Sequence, residues 1–417
     1  MSVTFELTDR CRCCGSSQLV EVLDLGNQPP ANCLRLPGEP KPGQVPLALA
    51  ICNSCATCQL TATVAPSELF SEYVWVTGTA SVTRTFSEIF AREVLSRWLF
   101  LGGNRAGLPG LVVEVASNDG TFLAPFVKKG CQVLGVDPAR NITTHAVANG
   151  IPTLCEFFSQ STVDNIRQEN GAADIVIARN VIPHVANIHE VVSAIEQLLH
   201  EGGLAVVEFH YAGAILRDLQ YDSIYHEHLF YFSIETLRSV FLSHGLHAFD
   251  VFESPLSGGA MVLLFSKEPC SPSKRLMAES CAESKSRLNS QEVWKSFGNH
   301  ALSHSKALAS MVSDHAEAGP VIGYGASARS STLLNTAGIS GNQLSVIIDR
   351  NEIKQGSLTP GSDLPIVSFE DGRAHLTDAK SVLLLAWNFE SEIVEDLRRE
   401  GFEGEVLVPL PGDPRVI

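Results

Sequence analysis

The chain has 417 residues, 45% of them apolar and 18% charged, which supports several packed cores and excludes wholesale disorder. Thirty Lys and Arg stand against 46 Asp and Glu, a net charge of −16. That excludes a broad grip on nucleic-acid backbone but leaves room for a small anion held locally. No apolar run approaches the ~18 residues of a membrane span, and no basic-then-apolar leader opens the chain, so no membrane partner and a cytoplasmic location are the expectations.

Seven of the eleven cysteines fall within the first 58 residues. In a reducing compartment they are not expected to pair as disulfides. Residues 11–17 read CRCCGSS and residues 51–60 read ICNSCATCQL. Cys11 with Cys14 and Cys52 with Cys55 form two C-x-x-C pairs, able to place four thiolates around a structural Zn²⁺. A small N-terminal module poor in large apolar residues needs such a staple. A set of small buried cysteines without metal is the alternative, and Cys13 and Cys58 are spare thiols nearby.

A helical stretch, FSEIFAREVLSRWLFLG, leads into LVVEVASNDGTFLAPF, which reads as strand, acidic residue, short loop and helix start. CQVLGVDPARN supplies a second strand, ADIVIARNVIPHV a third and GGLAVVEFH a fourth. Strands alternating with helices predict a parallel α/β sheet with its ligand at the carboxyl ends of the strands. Glu114 lies in the first strand, Gly120 closes the following loop, and Asp137 ends the second strand, where a carboxylate can accept ribose hydroxyls. The loop holds Ala116, Ser117, Asn118 and Asp119 where a dinucleotide fold would carry phosphate-cradling glycines. S-adenosylmethionine, a nucleoside with a zwitterionic tail, suits it better than a pyrophosphate. A dinucleotide fold with an atypical loop and a cofactor-free domain are the alternatives.

Residues 224–233, IYHEHLFYFS, crowd two histidines, a glutamate and two tyrosines together. A satisfied core histidine, a zinc site at His226 and His228 on one strand face, and an acid–base centre all fit this pattern. From about residue 286 the chain starts again. A long polar helix, the strand and glycine turn in GPVIGYGASARSS, LSVIIDRNEIKQG and AKSVLLLAWNF predict a second doubly wound unit. Its G-x-G-A turn is a weak cofactor signal by itself.

Taken together, the cysteine module, VVEVASNDG, NVIPHV, YHEHLFYFS and AWNF resemble the sugar C-methyltransferases of deoxysugar biosynthesis, along essentially the whole chain. Those enzymes methylate carbon 3 of a nucleotide-linked 4-keto-6-deoxy sugar. The resemblance implies a zinc-binding module over 1–70, a Rossmann-like S-adenosylmethionine domain over 71–285 and an α/β domain over 286–417 that covers the substrate. It implies His228 as general base, Tyr225 as the phenol beside the ketone and Glu227 as their acidic partner. His184 and Tyr73 match further active-site positions, while Asn180 joins the 114–120 loop and Asp137 around the cofactor. Arg329, Arg350 and Lys354 are expected near the diphosphate, with Asn388 lining the same cleft, and His226 has no assigned role. Ser257 and Val262 stand where the family usually shows histidine and arginine, and Trp75 where tyrosine is common, so the acceptor pocket is where this chain departs, and C-methylation of a different keto sugar or of a non-sugar enolisable acceptor is the alternative. A nicotinamide-dependent oxidoreductase or epimerase and a non-catalytic scaffold are the rival functions, and the oligomeric state is left open.

Overall fold

The computed structural model describes residues 3–70, 76–79, 81–103 and 107–417. Five strands come from the N-terminal module: β1 (Phe5–Leu7), β2 (Leu19–Gln28), β3 (Val45–Cys52), β4 (Cys58–Leu60) and β5 (Ala62–Val64). β2, β3 and β4 form an antiparallel meander, and β1 pairs with β5. The apolar alternation of β3 buries Leu47, Leu49 and Ile51 together, as a period of two requires.

The central sheet contains β6 (Val112–Val115), β7 (Val133–Val136), β8 (Thr153–Leu154), β9 (Ala173–Arg179) and β10 (Leu199–His210). β11 (Phe230–Tyr231) departs to another sheet, and β12 (His247–Ser254) and β13 (Ala260–Ser266) return to this one. Its strand order is β12-β13-β10-β9-β6-β7-β8, parallel except for β13. The chain runs outward through β6, β7 and β8, then crosses back to lay β9 on the other side of β6. That reversal opens a crevice at the carboxyl ends of β6 and β9, where open α/β sheets bind ligands. Both faces are covered. Val112, Ile175, Ile177, Leu204 and Val206 pack under the helix Ser81–Phe100, while Val113, Val176, Ala205 and Val207 face the opposite core.

The C-terminal sheet holds β14 (Val321–Tyr324), β15 (Leu344–Ile348), β16 (Ile366–Val367), β17 (Ser381–Leu384), β18 (Glu405–Val408) and β19 (Arg415–Val416). Their order is β16-β15-β14-β17-β18-β19, parallel except for β19. A second doubly wound unit is therefore present.

The three parts interlock through the N-terminal module. β11, which lies inside the expected central segment, adds to the module's sheet as the antiparallel neighbour of β4. The helix Gln291–Ala318 crosses β2 at Gly298, where an added Cβ would sit 2.1 Å from the Val22 carbonyl oxygen. His189 donates from Nε2 to the Cys13 carbonyl at 2.8 Å, tying the first cysteine knuckle to the central domain. Arg35 and Lys41 pair with Asp363 of the C-terminal domain. No helix among the described residues is long and apolar enough to cross a membrane.

Candidate active site

The segment from Tyr221 to Tyr231 has two sides. Tyr225 and His228 stay partly exposed, while His226 and Glu227 are buried. The buried pair turns toward the N-terminal module: His226 donates from Nε2 to the Val45 carbonyl at 3.2 Å, and Glu227 accepts from Asn32 Nδ2 at 2.6 Å. On the open side, His228 Nδ1 lies 3.1 Å from the Ser223 carbonyl and Nε2 lies 2.9 Å from the Tyr225 hydroxyl. A carbonyl only accepts, so the proton of neutral His228 sits on Nδ1, and Nε2 carries a lone pair that takes the Tyr225 hydroxyl hydrogen. The tautomer of His228 is thus fixed by the Ser223 carbonyl, and Glu227 accepts a hydrogen bond from Asn32.

His184 stands edge-on to His228 with ring centroids 4.9 Å apart. Burial pushes His184 down to about 4 and His228 well below 6.5, with the neighbouring His184 and His210 adding to the effect on His228. His210, at the end of β10, is pushed to about 3 by burial and then by the charge of Arg329. All three imidazoles are neutral at pH 7. His226 is also neutral, lowered to about 4 by burial. Tyr225 is raised by burial and then by Glu227, so it is a hydrogen-bond donor rather than a phenolate. Tyr73 and Trp75 lie outside the described residues.

At the crevice between β6 and β9, Asp137 accepts from the backbone amides of Asn118 and Ala139, each at 2.9 Å. Asn118 and Asp119 reach across to the amides of Thr77 and Gly78 at 2.8 and 2.9 Å. Ala116, Asn118 and Asn180 all adopt left-handed backbone conformations, with φ of 53°, 51° and 48°. Such strain on non-glycine residues persists where surrounding structure enforces it, and it clusters at ligand sites. Gly120 has φ of 77°, with Ile151 filling the place of a side chain. Glu114 is buried beneath the loop and pushed up to about 8 by desolvation, which Arg179 only partly offsets.

A second polar centre joins the central and C-terminal domains. Asp222 receives Arg329 through Nε at 3.0 Å and Nη2 at 2.8 Å, and the Trp387 indole N–H at 2.8 Å. Arg329 also donates to Gln220 Oε1 at 3.1 Å and to the Ser257 carbonyl at 3.2 Å, and His210 Nε2 shares that Gln220 oxygen at 3.0 Å. Lys354, expected near a diphosphate, is buried and donates to the Ala326 carbonyl at 2.7 Å. Arg329 is likewise committed inside the protein, whereas Arg350 and Asn388 are exposed. Of the two departures at the acceptor pocket, Ser257 contributes its backbone carbonyl. Val262 lies in the core between β10 and β12, opposite Glu208, so position 262 does not line the cleft.

In the N-terminal module, the sulfurs of Cys11, Cys14, Cys52 and Cys55 all lie within 4.8 Å of one another. Cys11 to Cys55 is 3.5 Å and Cys14 to Cys52 is 3.6 Å. A tetrahedron of sulfurs about 2.3 Å from zinc has edges of about 3.8 Å, so the cluster has the size the metal requires. Cys13 and Cys58 stand outside it.

Family models agree with this architecture part by part. A zinc-binding-domain model matches residues 11–70, a methyltransferase-domain model residues 86–249, and a C-methyltransferase C-terminal-domain model residues 255–411. C-methyltransferase NovU of Streptomyces niveus is 33% identical over 418 aligned positions, covering 98% of this chain and 97% of that protein. The chain belongs to the S-adenosylmethionine-dependent C-methyltransferases. A ubiquinone biosynthesis O-methyltransferase of Rhizobium etli (strain CIAT 652) is 30% identical over 105 residues, 24% of this chain and 41% of its own. A solved structure of magnesium protoporphyrin IX methyltransferase (ChlM) from Synechocystis PCC 6803 covers 46% of this chain and 86% of its own, at 14% identity and a TM-score of 0.33.

The methyltransferase's own residues fit both of its cofactors. At the crevice, Glu114 Oε2 and Ser117 Oγ are buried polar atoms with no hydrogen-bond partner among the described residues, which a polar nucleoside tail can satisfy. The four thiols offer zinc a closed set with no position left for water, so this zinc is structural. Several residues beside the site carried no motif in the sequence: Asn32, Arg179, Glu208, His210, Gln220 and Asp222. Only Asp222 had a signal available, as an acid three residues before Tyr225.

Proposed function

We propose that this enzyme methylates the carbon next to a ketone, most specifically carbon 3 of a nucleotide-linked 4-keto-6-deoxy sugar, with His228 as base and Tyr225 as the donor to the ketone oxygen. The observation that carries this reading is the Tyr225–His228 pair: a neutral imidazole with a fixed tautomer, its basic nitrogen capped by an un-ionised phenol.

A carbon acid beside a carbonyl needs two things at once, a base for its proton and a donor for the oxygen that becomes anionic. In the free enzyme these two groups satisfy each other. An entering ketone takes over the Tyr225 hydrogen bond, which exposes the Nε2 lone pair to the adjacent C–H. His228 then accepts that proton, and the imidazolium it becomes lies beside the enolate that has just formed, so the desolvated site gains and loses charge as a pair. The bound sulfonium supplies an electrophilic methyl group. His184 packs against the back of the base and limits its movement. Glu114, Ala116, Ser117, Asn118, Asp119, Gly120, Asp137 and Asn180 form the methyl-donor pocket in this reading. The exposed Arg350, ion-paired with Asp396, and the exposed Asn388 are the C-terminal groups nearest to solvent for a diphosphate, and Arg329 and Lys354 shape the cleft from behind. Tyr73 keeps its place as a further active-site residue on the family resemblance. A reaction drawing on this methyl donor suits the cytoplasm.

The test is incubation with methyl-labelled S-adenosylmethionine and a panel of nucleoside-diphosphate 4-keto-6-deoxy sugars, with the label located by mass spectrometry. Label on carbon 3 is the expected result. Transfer only to a non-sugar β-dicarbonyl included as control would overturn the sugar assignment.

A further inference from the structure

Beneath the cofactor loop lies a charge cluster that no motif announced. Arg179 closes β9, Glu208 sits beside it in register on β10, and Glu114 lies on β6 at the other side. Arg179 Nε is 2.5 Å from Glu208 Oε2, a close ion contact outside hydrogen-bond alignment, while its Nη1 is 3.8 Å from Glu114 Oε1. Ser254 Oγ holds the second Glu208 oxygen at 2.6 Å. The guanidinium lies over the Phe122 ring, 3.0 Å from its centroid. Side-chain exposure is 8% for Arg179, 2% for Glu114 and 0% for Glu208. Two carboxylates therefore share one guanidinium in a dry site, and the one nearer the cofactor loop is the less well paired.

We propose that Arg179 and Glu208 are positioning residues for the methyl donor: by drawing Arg179 to its own side, Glu208 leaves Glu114 a negative charge that only the cationic donor completes. This rests on Glu114 belonging to the donor pocket and not on the identity of the acceptor. Burying an unpaired carboxylate is costly, so at pH 7 Glu114 mostly carries its proton until a cation arrives to expel it. The groups facing Glu114 agree with this balance. Arg179 favours its charged form, while Asp119 of the loop, Glu208 of β10 and Asp137 of β7 oppose it. Without Arg179, Glu114 holds its proton to higher pH. Without the Glu208 charge, Arg179 is free to close on Glu114 and compete with the ligand.

The test is calorimetric titration of the zinc-loaded full chain at pH 7 and 9, in buffers of different ionisation enthalpy. S-adenosylhomocysteine, which carries the ammonium group, is compared with 5′-methylthioadenosine, which lacks it. The wild-type protein is expected to release protons on binding the first ligand at pH 7 and not the second. Arg179→Met should weaken S-adenosylhomocysteine roughly tenfold at pH 7 with recovery toward pH 9, leaving methylthioadenosine unchanged. Glu208→Gln should weaken it at both pH values and abolish the proton release. Equal binding and proton count in the Arg179→Met and wild-type proteins overturns the proposal. So does a parallel loss of both ligands, which is the mark of a structural defect. If Arg179→Met fails to fold by circular dichroism, Arg179→Lys and Glu208→Gln decide, the first keeping the charge and the second removing the competition.

Discussion

Tyr225 Oη and His228 Nε2 are 2.9 Å apart, and the same imidazole is anchored through Nδ1 to the Ser223 carbonyl. In its proposed role as base, His228 has its tautomer set by a backbone carbonyl. Replacing His228 with Ala is expected to lower turnover by roughly 10²- to 10⁴-fold, the usual worth of a positioned general base, while S-adenosylhomocysteine binding stays intact. Exchange of solvent deuterium into the acceptor carbon should vanish in the same variant. Tyr225→Phe should cost roughly 10²-fold in turnover through the lost oxygen donor. Because burial keeps His228 well below 6.5, its basic form persists into acid, and the acid limb of the rate profile should fall below pH 6.5. A limb at or above 6.5 that disappears in the His228 variant would contradict this assignment.

Acid should destabilise the fold through histidines that are buried neutral. His226 is 1% and His210 7% exposed, with values of about 4 and about 3. Both are depressed, so the unfolded chain binds protons first. Their stabilisation is complete above 6.5 and is lost as the pH falls from there toward the folded values. At pH 5 each contributes a loss of about 2 kcal/mol. Thermal unfolding followed from pH 8 to pH 5 should show a falling midpoint that is flattened in a His226→Gln, His210→Gln double variant. An unaltered slope would place the acid sensitivity elsewhere.

Loss of zinc should reach the active site through β11. The strand carrying Phe230 and Tyr231 is paired with Gln59 and Cys58 of β4, four and three residues beyond the last ligand, Cys55. Cys14→Ser, at an exposed ligand position, is expected to release the metal and loosen that pairing. Metal content, the unfolding midpoint and turnover should then fall together. Full turnover in a demonstrably zinc-free protein would uncouple the module from catalysis.

What the sequence made legible follows the range of each interaction. The two C-x-x-C pairs are local chemistry, and their spacing announced the cluster that the structure assembles. Strand and helix alternation did the same for both parallel sheets, because each strand's apolar run is decided within a few residues. Side-chain partners across the chain were not legible. Asn32 and Glu227 are separated by 195 positions, and nothing near YHEH says that its carboxylate meets Asn32. Arg329 read as a free cation because Asp222, its buried partner, lies 107 residues earlier. Arg179 sits in an apolar strand pattern as an end residue, and only the register of three strands brings it between two carboxylates.

The Asp222–Arg329 pair should matter more to folding than to ligand binding. Asp222 is 1% exposed by side chain and Arg329 15%, so removing the guanidinium strands a carboxylate whose remaining partner is the Trp387 indole. Arg329→Met is expected to cost about 3–5 kcal/mol, the range for breaking a buried pair from one side. Denaturant unfolding measures it. A loss below about 1 kcal/mol, the range of exposed pairs, would return Arg329 to the role of a ligand-facing cation.

Gly298 tests whether the long helix holds the N-terminal module in place. Its position in Gln291–Ala318 faces β2 so closely that a methyl group would lie 2.1 Å from the Val22 oxygen and 3.3 Å from Leu23 Cβ. Backbone cannot yield as a flexible side-chain tip does, so the helix must lift or β2 must bend. In an exposed helix, Gly→Ala gains about 1 kcal/mol from propensity. Here the overpacking, typically about 1–3 kcal/mol, opposes that gain and should exceed it. Gly298→Ala is therefore expected to lower the unfolding midpoint, and to raise protease sensitivity first in residues 3–70. A stabilised variant would mean that this crossing is not a fixed contact and that the module is held by β11 and the Asp363 ion pairs instead.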